Sequence, residues 1–185
     1  FVDTMQRAGK RMSRMVEDIL SLERIEQMAK LDQGDMVLIE LKTHVKQAIE
    51  EYSKQAHEKS QTLQLVLQSD DEIHVRGDVM QLYEAMTNLI NNAIKYTPTN
   101  GHIDIYLERE NGAVTFCVRD TGIGIPASQQ DRLFRPFSRI QSEETAKIEG
   151  TGLGLHLVKN IIVRHKGEMV FESTHGKGST FGFRL

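Results

Sequence analysis

The chain has 185 residues, 39% of them hydrophobic and 26% charged, and a formal net charge of −3; this is ordinary globular material able to bury a real core as one domain, or as a domain with a short attached element. That balance, with Lys and Arg scattered rather than striped, gives no electrostatic case for nucleic acid or for an anionic membrane surface. A single cysteine, Cys117 in the apolar run 114–118, excludes an internal disulfide or a cysteine metal cluster and is expected as a buried reduced thiol, and no apolar run approaches the ~18 residues of a membrane span.

Phe1, Met5, Ala8, Met12, Met15, Ile19 and Leu22 recur at alternating steps of four and three, an a/d heptad seam with charged residues such as Asp3, Lys10 and Glu17 between them. One helix cannot bury so narrow a seam alone, so it calls for a bundle or a dimer. Phe1 already lies inside the pattern, and the chain reads as a fragment of something longer. Around Gln33, Gly34 and Asp35 the pattern breaks, which divides the chain into a helix over 1–30, a linker over 31–35 and a globular part over 36–185.

Within the globular part, 36–41 reads as a short strand, and Val45, Ala48, Ile49, Tyr52 and Ala56 mark an amphipathic helix. Residues 62–68 alternate like a half-buried strand, and 73–75 are expected to pair with it. A second helix spans 78–95, with Val79, Leu82, Met86, Leu89, Ile90 and Ala93 on one face, and stops at the Thr97-Pro98 step. Strands at 102–109 and 113–119, a loop-rich stretch over 120–150, a third helix over 152–165 and strands at 168–173 and 180–185 complete the chain. Three helices on a mixed sheet make a two-layer α/β sandwich.

Two glycine clusters stand out. Asp120, Gly122 and Gly124 leave a strand ahead of Pro126, and Gly150, Gly152 and Gly154 open a helix. Glycine lets backbone N–H groups approach a ligand, and a helix N-terminus offers unpaired donors to phosphate. One cluster alone would be a turn; two flanking a polar loop point to phosphate. Other phosphate loops fit poorly: there is no GxxxxGK[ST] run, Gly176-Lys-Gly178 leads into a strand, and Gly122, Gly124 and Ala127 do not sit in a βαβ unit. On the second helix, Glu84, Asn88, Asn91, Asn92 and Lys95 lie opposite the apolar face at about 100° per residue. A solvated face would carry Glu or Lys; three asparagines, mediocre helix formers, are the anomaly. Neutral amide oxygens one turn apart (Asn88, Asn92) suit Mg²⁺.

These residues resemble a family. The run from Asn88 through Asn92 and Lys95 to Pro98 is similar to the N box of sensor histidine kinases, and Asp120 to Gly124 to their G1 box. Leu133, Phe134, Phe137 and Arg139 resemble the F box, Gly150 to Leu155 the G2 box, and Gly176 to Phe181 the final glycine motif. The resemblance implies a Bergerat-type ATP-binding fold over 36–185, preceded by a long coiled-coil-like helix matching the second helix of the family's dimerisation hairpin. It also implies ATP and Mg²⁺ as ligands. Asn92 would then hold the metal, Asn88 would support it, and Lys95 would contact phosphate. Tyr96 would pack near the base, and Asp120 would accept a hydrogen bond from the adenine amino group, excluding guanine's carbonyl. Gly122, Gly124, Ile125, Phe137 and Thr180 complete the implied base pocket, and Gly150, Thr151, Gly152, Leu153, Gly154 and Leu155 the phosphate loop. Residues 127–149 would form a lid bearing Arg139, which with Asn88 and Lys95 makes the implied catalytic set.

None of His44, His57, His74, His102, His156, His165 or His175 has the family's acceptor context, an H-E-x-x-T/N-P run. The expectation is therefore a phosphoryl donor acting on a histidine outside the fragment. Its implied partners are ATP, an upstream acceptor helix, a response regulator and a second copy through the first helix. Nucleic acid is not among them. The resemblance implies a cytoplasmic domain and leaves membrane anchoring of the whole protein open. The alternatives are a non-catalytic nucleotide-sensing module and an ATPase of the gyrase or mismatch-repair type, which usually carries a glutamate base on the asparagine helix.

Overall fold

Residues 36–67, 71–140 and 150–185 are described in the computed structural model, together with positions 9, 12, 16, 20, 23, 145 and 148. Their elements run β1 (Val37–Glu40), α1 (Leu41–Glu58), β2 (Thr62–Leu67), β3 (His74–Gly77), α2 (Val79–Tyr96), β4 (His102–Glu110), β5 (Ala113–Asp120), a single turn α3 (Ala127–Gln130), α4 (Gly154–Arg164), β6 (Glu168–Thr174) and β7 (Gly178–Arg184). The two-layer sandwich expected above is present. A mixed sheet of order β2-β4-β5-β7-β6 is parallel at β2–β4 and antiparallel at the other three pairs. The long helices α1, α2 and α4 lie on one face of it.

Strand parity explains which face they cover. Ile103, Ile105 and Leu107 on β4 and Val114, Phe116 and Val118 on β5 are buried, while alternate residues such as Tyr106, Thr115 and Cys117 turn the other way and are half-buried. Cys117 is thus a free thiol on the outer face of the sheet rather than a core residue. Burial and the nearby Glu108 and Glu172 carboxylates push its pKa up to about 11, far from a reactive thiolate. Under the helices, Phe116 stacks on Phe183 at 5.2 Å between ring centroids, at the centre of a core with Leu82, Met86, Leu89 and Ile90 of α2. Asn111 and Gly112, at φ 51° and 84°, turn the β4–β5 hairpin with the two consecutive left-handed residues of a type I′ turn.

One expected pairing is wrong. Residues 73–75 do not join β2: β3 pairs antiparallel with β1 in a separate two-stranded sheet, with Ile39 opposite Val75. Both of those side chains are buried, so matching apolar partners, and not proximity in sequence, selects the pair. Of the N-terminal seam, only Met12 falls on a described residue, and the other six positions and the 31–35 linker lie outside them. Positions 9, 12, 16, 20 and 23 are helical, with Met12, Val16 and Leu20 exposed.

The start of α2 is tied down by Asp78, whose carboxylate accepts from the Gln81 N–H at 3.1 Å and from the Gln81 amide at 2.8 Å. The Asp78 N–H in turn donates to His165 Nε2 at 3.0 Å, at the end of α4. His165 Nδ1 lies 2.7 Å from the Ile161 carbonyl, so the ring is a neutral packing histidine whose pKa burial lowers. Asp78→Ala is expected to lower stability by about 1 kcal/mol through loss of the cap, read as a shift of the urea midpoint. An unchanged midpoint would show that His165 alone fixes this helix end.

Candidate functional site

Helix α2 is amphipathic, and its polar face forms one wall of a cleft whose other wall is the chain from Gly150 into α4. Leu82, Met86, Leu89, Ile90 and Ala93 are buried, which forces Asn88, Asn91, Asn92 and Lys95 outward toward the cleft. The cleft has two compartments. One is mostly apolar, walled by Ala93, Tyr96, Ile123, Gly124, Ile125, Ile140 and Phe181, with Asp120 and Ser179 among them. The other is polar, walled by the three asparagines, Lys95, Gly150, Thr151, Gly152 and Gly154. Asn92, Tyr96, Leu133, Ser138 and Leu155 line both, so the two are halves of one site. A ligand with a flat apolar end and an anionic end matches that division.

In the apolar half, Asp120 is 7% exposed at the end of β5. Its Oδ1 accepts from the Gly122 N–H at 2.8 Å and the Ser179 N–H at 3.3 Å. Burial pushes its pKa up to about 6, against the lowering effect of those two donors. Gly122 therefore orients the carboxylate and is not itself among the residues lining either half. The loop after Asp120 is pinned on both sides: the Ile123 N–H donates to the Tyr96 carbonyl at 3.2 Å, and the Gly176 N–H to the Ile123 carbonyl at 2.7 Å. The Ile125 N–H reaches Ser173 Oγ at 2.9 Å. Gly124 sits at φ 62° against the Thr174 carbonyl, where a side chain would be both strained and blocked.

In the polar half, Asn88 Nδ2 donates to the Glu84 carbonyl at 2.8 Å, one turn back. That fixes the amide so that Oδ1 faces the start of α4, 2.8 Å from where a Cβ on Gly154 would stand. Helix α4 begins without a side-chain cap, and its first residues, Gly154 and Leu155, line the polar half, where an uncapped helix start suits an anion. Gly152, at φ 80°, lets the loop pass the Ser138 carbonyl, 2.6 Å from where its Cβ would be. No group of three His, Cys, Asp or Glu side chains able to hold a metal occurs among the described residues. An ion here would rest on amide oxygens and on the ligand itself, a donor set that suits Mg²⁺.

Asn88, Asn92, Lys95, Tyr96, Asp120, Gly124, Ile125, Gly150, Thr151, Gly152, Gly154 and Leu155 all line the cleft as expected, and Arg139 lines its apolar half while its guanidinium donates to the Ile148 carbonyl. Four expected residues do not line it, Gly122 among them. Leu153 is 2% exposed, and its N–H bonds Thr151 Oγ1 at 3.3 Å. Phe137 stands on an outer groove with Arg132 and Arg135, 61% exposed at φ 59°. Thr180 points to the other side of β7, and its neighbours Ser179 and Phe181 take the place expected of it. Sequence reasoning missed Ile123, Leu133, Ser138, Ile140, Ser179 and Phe181. Strand parity could have found Ser179 and Phe181; Leu133 and Ser138 lie in the F-box-like run, which singled out Phe137 and Arg139 instead. His156 is not a lining residue: its ring bonds the Phe134 carbonyl at 3.0 Å and Asn160 at 3.2 Å.

Residues 77–185 match the model of a family described as histidine kinase-, DNA gyrase B- and HSP90-like ATPases. The chain is 38% identical over 182 residues to sensor histidine kinase RppB of Synechocystis, covering 98% of this chain and 39% of that protein. It is 31% identical over 193 residues to signal transduction histidine-protein kinase BarA of Escherichia coli, covering 100% and 20%. Full-length ShkA, whose crystal structure is in complex with AMPPNP, superposes with a TM-score of 0.82 at 24% identity, over 100% of this chain and 37% of that one. The chain thus spans well under half the length of these relatives.

Proposed function

Because the chain belongs to the family of histidine kinase-, DNA gyrase B- and HSP90-like ATPases, we propose that its cleft binds Mg-ATP and donates the γ-phosphoryl group to a histidine on a separate segment. The observation that carries this reading is the two-part cleft, with one buried carboxylate in the apolar half and amide oxygens and helix N–H groups in the other. Adenine fills the apolar half, donating its amino hydrogen to Asp120, with Tyr96, Ile125 and Phe181 around the ring. The phosphates run toward Asn88, Asn92, Lys95 and the start of α4. Asn92, supported by Asn88, holds the Mg²⁺, which supplies charge neutralisation on the phosphates when bound. Lys95 and the α4 donors orient the terminal phosphate, and Arg139, which lines the adenine half and donates to the Ile148 carbonyl, becomes available to the γ-phosphate only if it leaves that partner. Phosphoryl transfer needs chiefly such positioning and charge stabilisation.

One observation separates the kinase from a gyrase-type ATPase. Glu84, the acid on the asparagine helix, does not line either half of the cleft. A glutamate poised to activate water would have to.

The rest of the proposal follows the resemblance drawn from the sequence motifs. Residues 1–30, of which only positions 9, 12, 16, 20 and 23 are described, would serve in a dimerisation hairpin, with 31–35 as linker to a catalytic unit over 36–185, and the phosphate would pass on to a response regulator. Among the described residues no helix is long and apolar enough to cross a membrane; a cytoplasmic placement of this unit is part of the proposal.

The test is calorimetric titration with AMPPNP and with a non-hydrolysable GTP analogue, each with and without Mg²⁺. Adenine-selective binding, strengthened by Mg²⁺, is expected. No binding by the folded chain would leave only a degenerate module with the same fold.

A further inference from the structure

The far end of α2 is held in an unusual way. A helix leaves its last four carbonyls without intrahelical donors. Here every one has a donor. The Ala93 carbonyl takes the Thr97 N–H at 3.0 Å, and the Tyr96 carbonyl takes the Ile123 N–H at 3.2 Å. The Ile94 and Lys95 carbonyls take Lys59 Nζ, at 2.5 and 3.3 Å. The same ammonium reaches the Thr97 carbonyl at 2.8 Å, just past the helix. Beside it, the Gln61 amide nitrogen donates to the carbonyls of Ile94 at 3.1 Å, Thr97 at 2.6 Å and Pro98 at 3.4 Å.

Lys59 and Gln61 belong to the turn between α1 and β2, more than thirty residues before the carbonyls they hold. The backbone there interlocks as well: the Asn100 N–H donates to the Lys59 carbonyl at 3.1 Å, and the Thr62 N–H to the Gly101 carbonyl at 2.9 Å. Gln61 is 7% exposed, and its Oε1 has no hydrogen-bond partner among the described residues. A buried amide left half satisfied is costly, so a side chain kept for shape alone would be apolar at this position. The ammonium meanwhile sits at the negative end of the helix dipole.

The held segment is the back of the base compartment. Tyr96 lines both halves of the cleft, and its carbonyl fixes Ile123, which lines the apolar half. Gly122 fits only where it is: a Cβ on it would stand 2.6 Å from the Tyr96 carbonyl and 2.6 Å from the Asp120 carboxylate. A small rotation of the helix end therefore moves Tyr96, Ile123 and the orientation of Asp120 together.

We infer that Lys59, seconded by Gln61, is a positioning residue for the nucleotide site: its ammonium clamps the α2 terminus and so sets the distance between Tyr96 and the Asp120 loop. The inference rests on the nucleotide reading of the cleft. Lys59 acts through the Ile94, Lys95 and Thr97 carbonyls, which bracket Tyr96 and so place the Tyr96 carbonyl that holds Ile123.

The experiment titrates the wild-type chain, Lys59→Met and Lys59→Arg with AMPPNP and the GTP analogue, each below its own melting temperature. Lys59→Met is expected to lose about tenfold in AMPPNP affinity and part of its preference over the GTP analogue, since an ångström-scale misplacement in a preorganised site carries a cost of that order or more. Lys59→Arg, which keeps donors and charge, is expected to recover most of both. A purely structural lysine would lower the melting temperature and leave affinity and preference alone, and that result overturns the inference. If Lys59→Met does not fold, Lys59→Gln, which retains an amide donor, carries the same readout. If the wild-type chain itself does not bind AMPPNP, the nucleotide reading fails and takes this inference with it; if wild type and Lys59→Met bind alike, only the inference fails.

Discussion

Asp120→Asn is expected to weaken adenine-nucleotide binding by more than about 100-fold while making the empty chain more stable at pH 7. The two effects have one origin. Asp120 is almost fully buried, with its Oδ1 occupied by two backbone N–H groups and its pKa pushed by burial up to about 6. At neutral pH the carboxylate is charged in a poor environment and, being acceptor-only, is matched to a donor that the empty site lacks. An asparagine that keeps its oxygen toward Gly122 and Ser179 must turn its NH₂ toward the adenine amino group, donor against donor. A site built around one hydrogen bond rejects the mismatched partner by two orders of magnitude or more.

The sign of the pH dependence follows from linkage. The folded chain holds the Asp120 proton more tightly than the unfolded chain does, because the folded pKa is raised. Stability from this group is therefore greatest below pH 4, falls as pH rises from about 4 to about 6, and stays low above that. A raised pKa of this size corresponds to about 2–3 kcal/mol at neutral pH, of which the uncharged asparagine is expected to recover roughly half, its amide being imperfectly paired. Melting curves of both chains at pH 4 and pH 7 check this: the advantage of Asp120→Asn should shrink toward zero at pH 4. Unchanged AMPPNP affinity would reduce Asp120 to a strand-end residue with no reading role. A variant less stable than wild type at pH 7 would mean that the two N–H groups outweigh burial.

Asn92→Ala is expected to abolish the benefit of Mg²⁺. Affinity for AMPPNP in Mg²⁺ should drop by about 100-fold, to the level seen in EDTA, since a hard cation bound through few protein groups depends on each. The fold should be untouched, because Asn92 is half-buried on the cleft side of α2 and the apolar side carries the packing. Asn92→Asp separates two explanations. If the amide oxygen holds the metal, a carboxylate keeps the Mg²⁺ benefit; if the amide nitrogen instead donates to phosphate, the carboxylate repels it and binding is lost with or without Mg²⁺. That second pattern would assign Asn92 to phosphate and leave Asn88, whose oxygen is already turned toward α4, as the ion's support.

Much of this site could be read before any coordinates, for a physical reason. On α2 the helical period and the composition agree: apolar residues claim one face, so the asparagines have only the cleft left to face. The glycines of 150–154 likewise announce a backbone that must come close to something. Where reading failed, the deciding interaction was remote or a matter of parity. Thr180 and Ser179 are equally polar and adjacent, and only the register of β7 against β5, with Ser179 opposite Asp120, selects the serine. β3 was matched to the wrong strand because a short apolar run carries no record of its partner; Ile39 lies some 35 residues away. Phe137 belongs to a recognisable motif, yet its left-handed backbone turns it out of the cleft. The clamp of Lys59 on the end of α2 left no trace at all, because a lysine in a turn looks like any solvated charge.

The parallel pairing of β2 with β4 has a consequence for how the chain acquires its shape. The β4–β5 hairpin closes through two residues, Asn111 and Gly112, and can nucleate locally. β2 can join only after some forty residues, including all of α2, have been looped back to set Thr62 beside His102. The turn that carries Lys59 and Gln61 arrives with β2, so the end of α2 is secured only once that parallel pair has closed. The base compartment therefore waits on two long closures, since β7, which sets Ser179 opposite Asp120, joins β5 across a still longer span of chain.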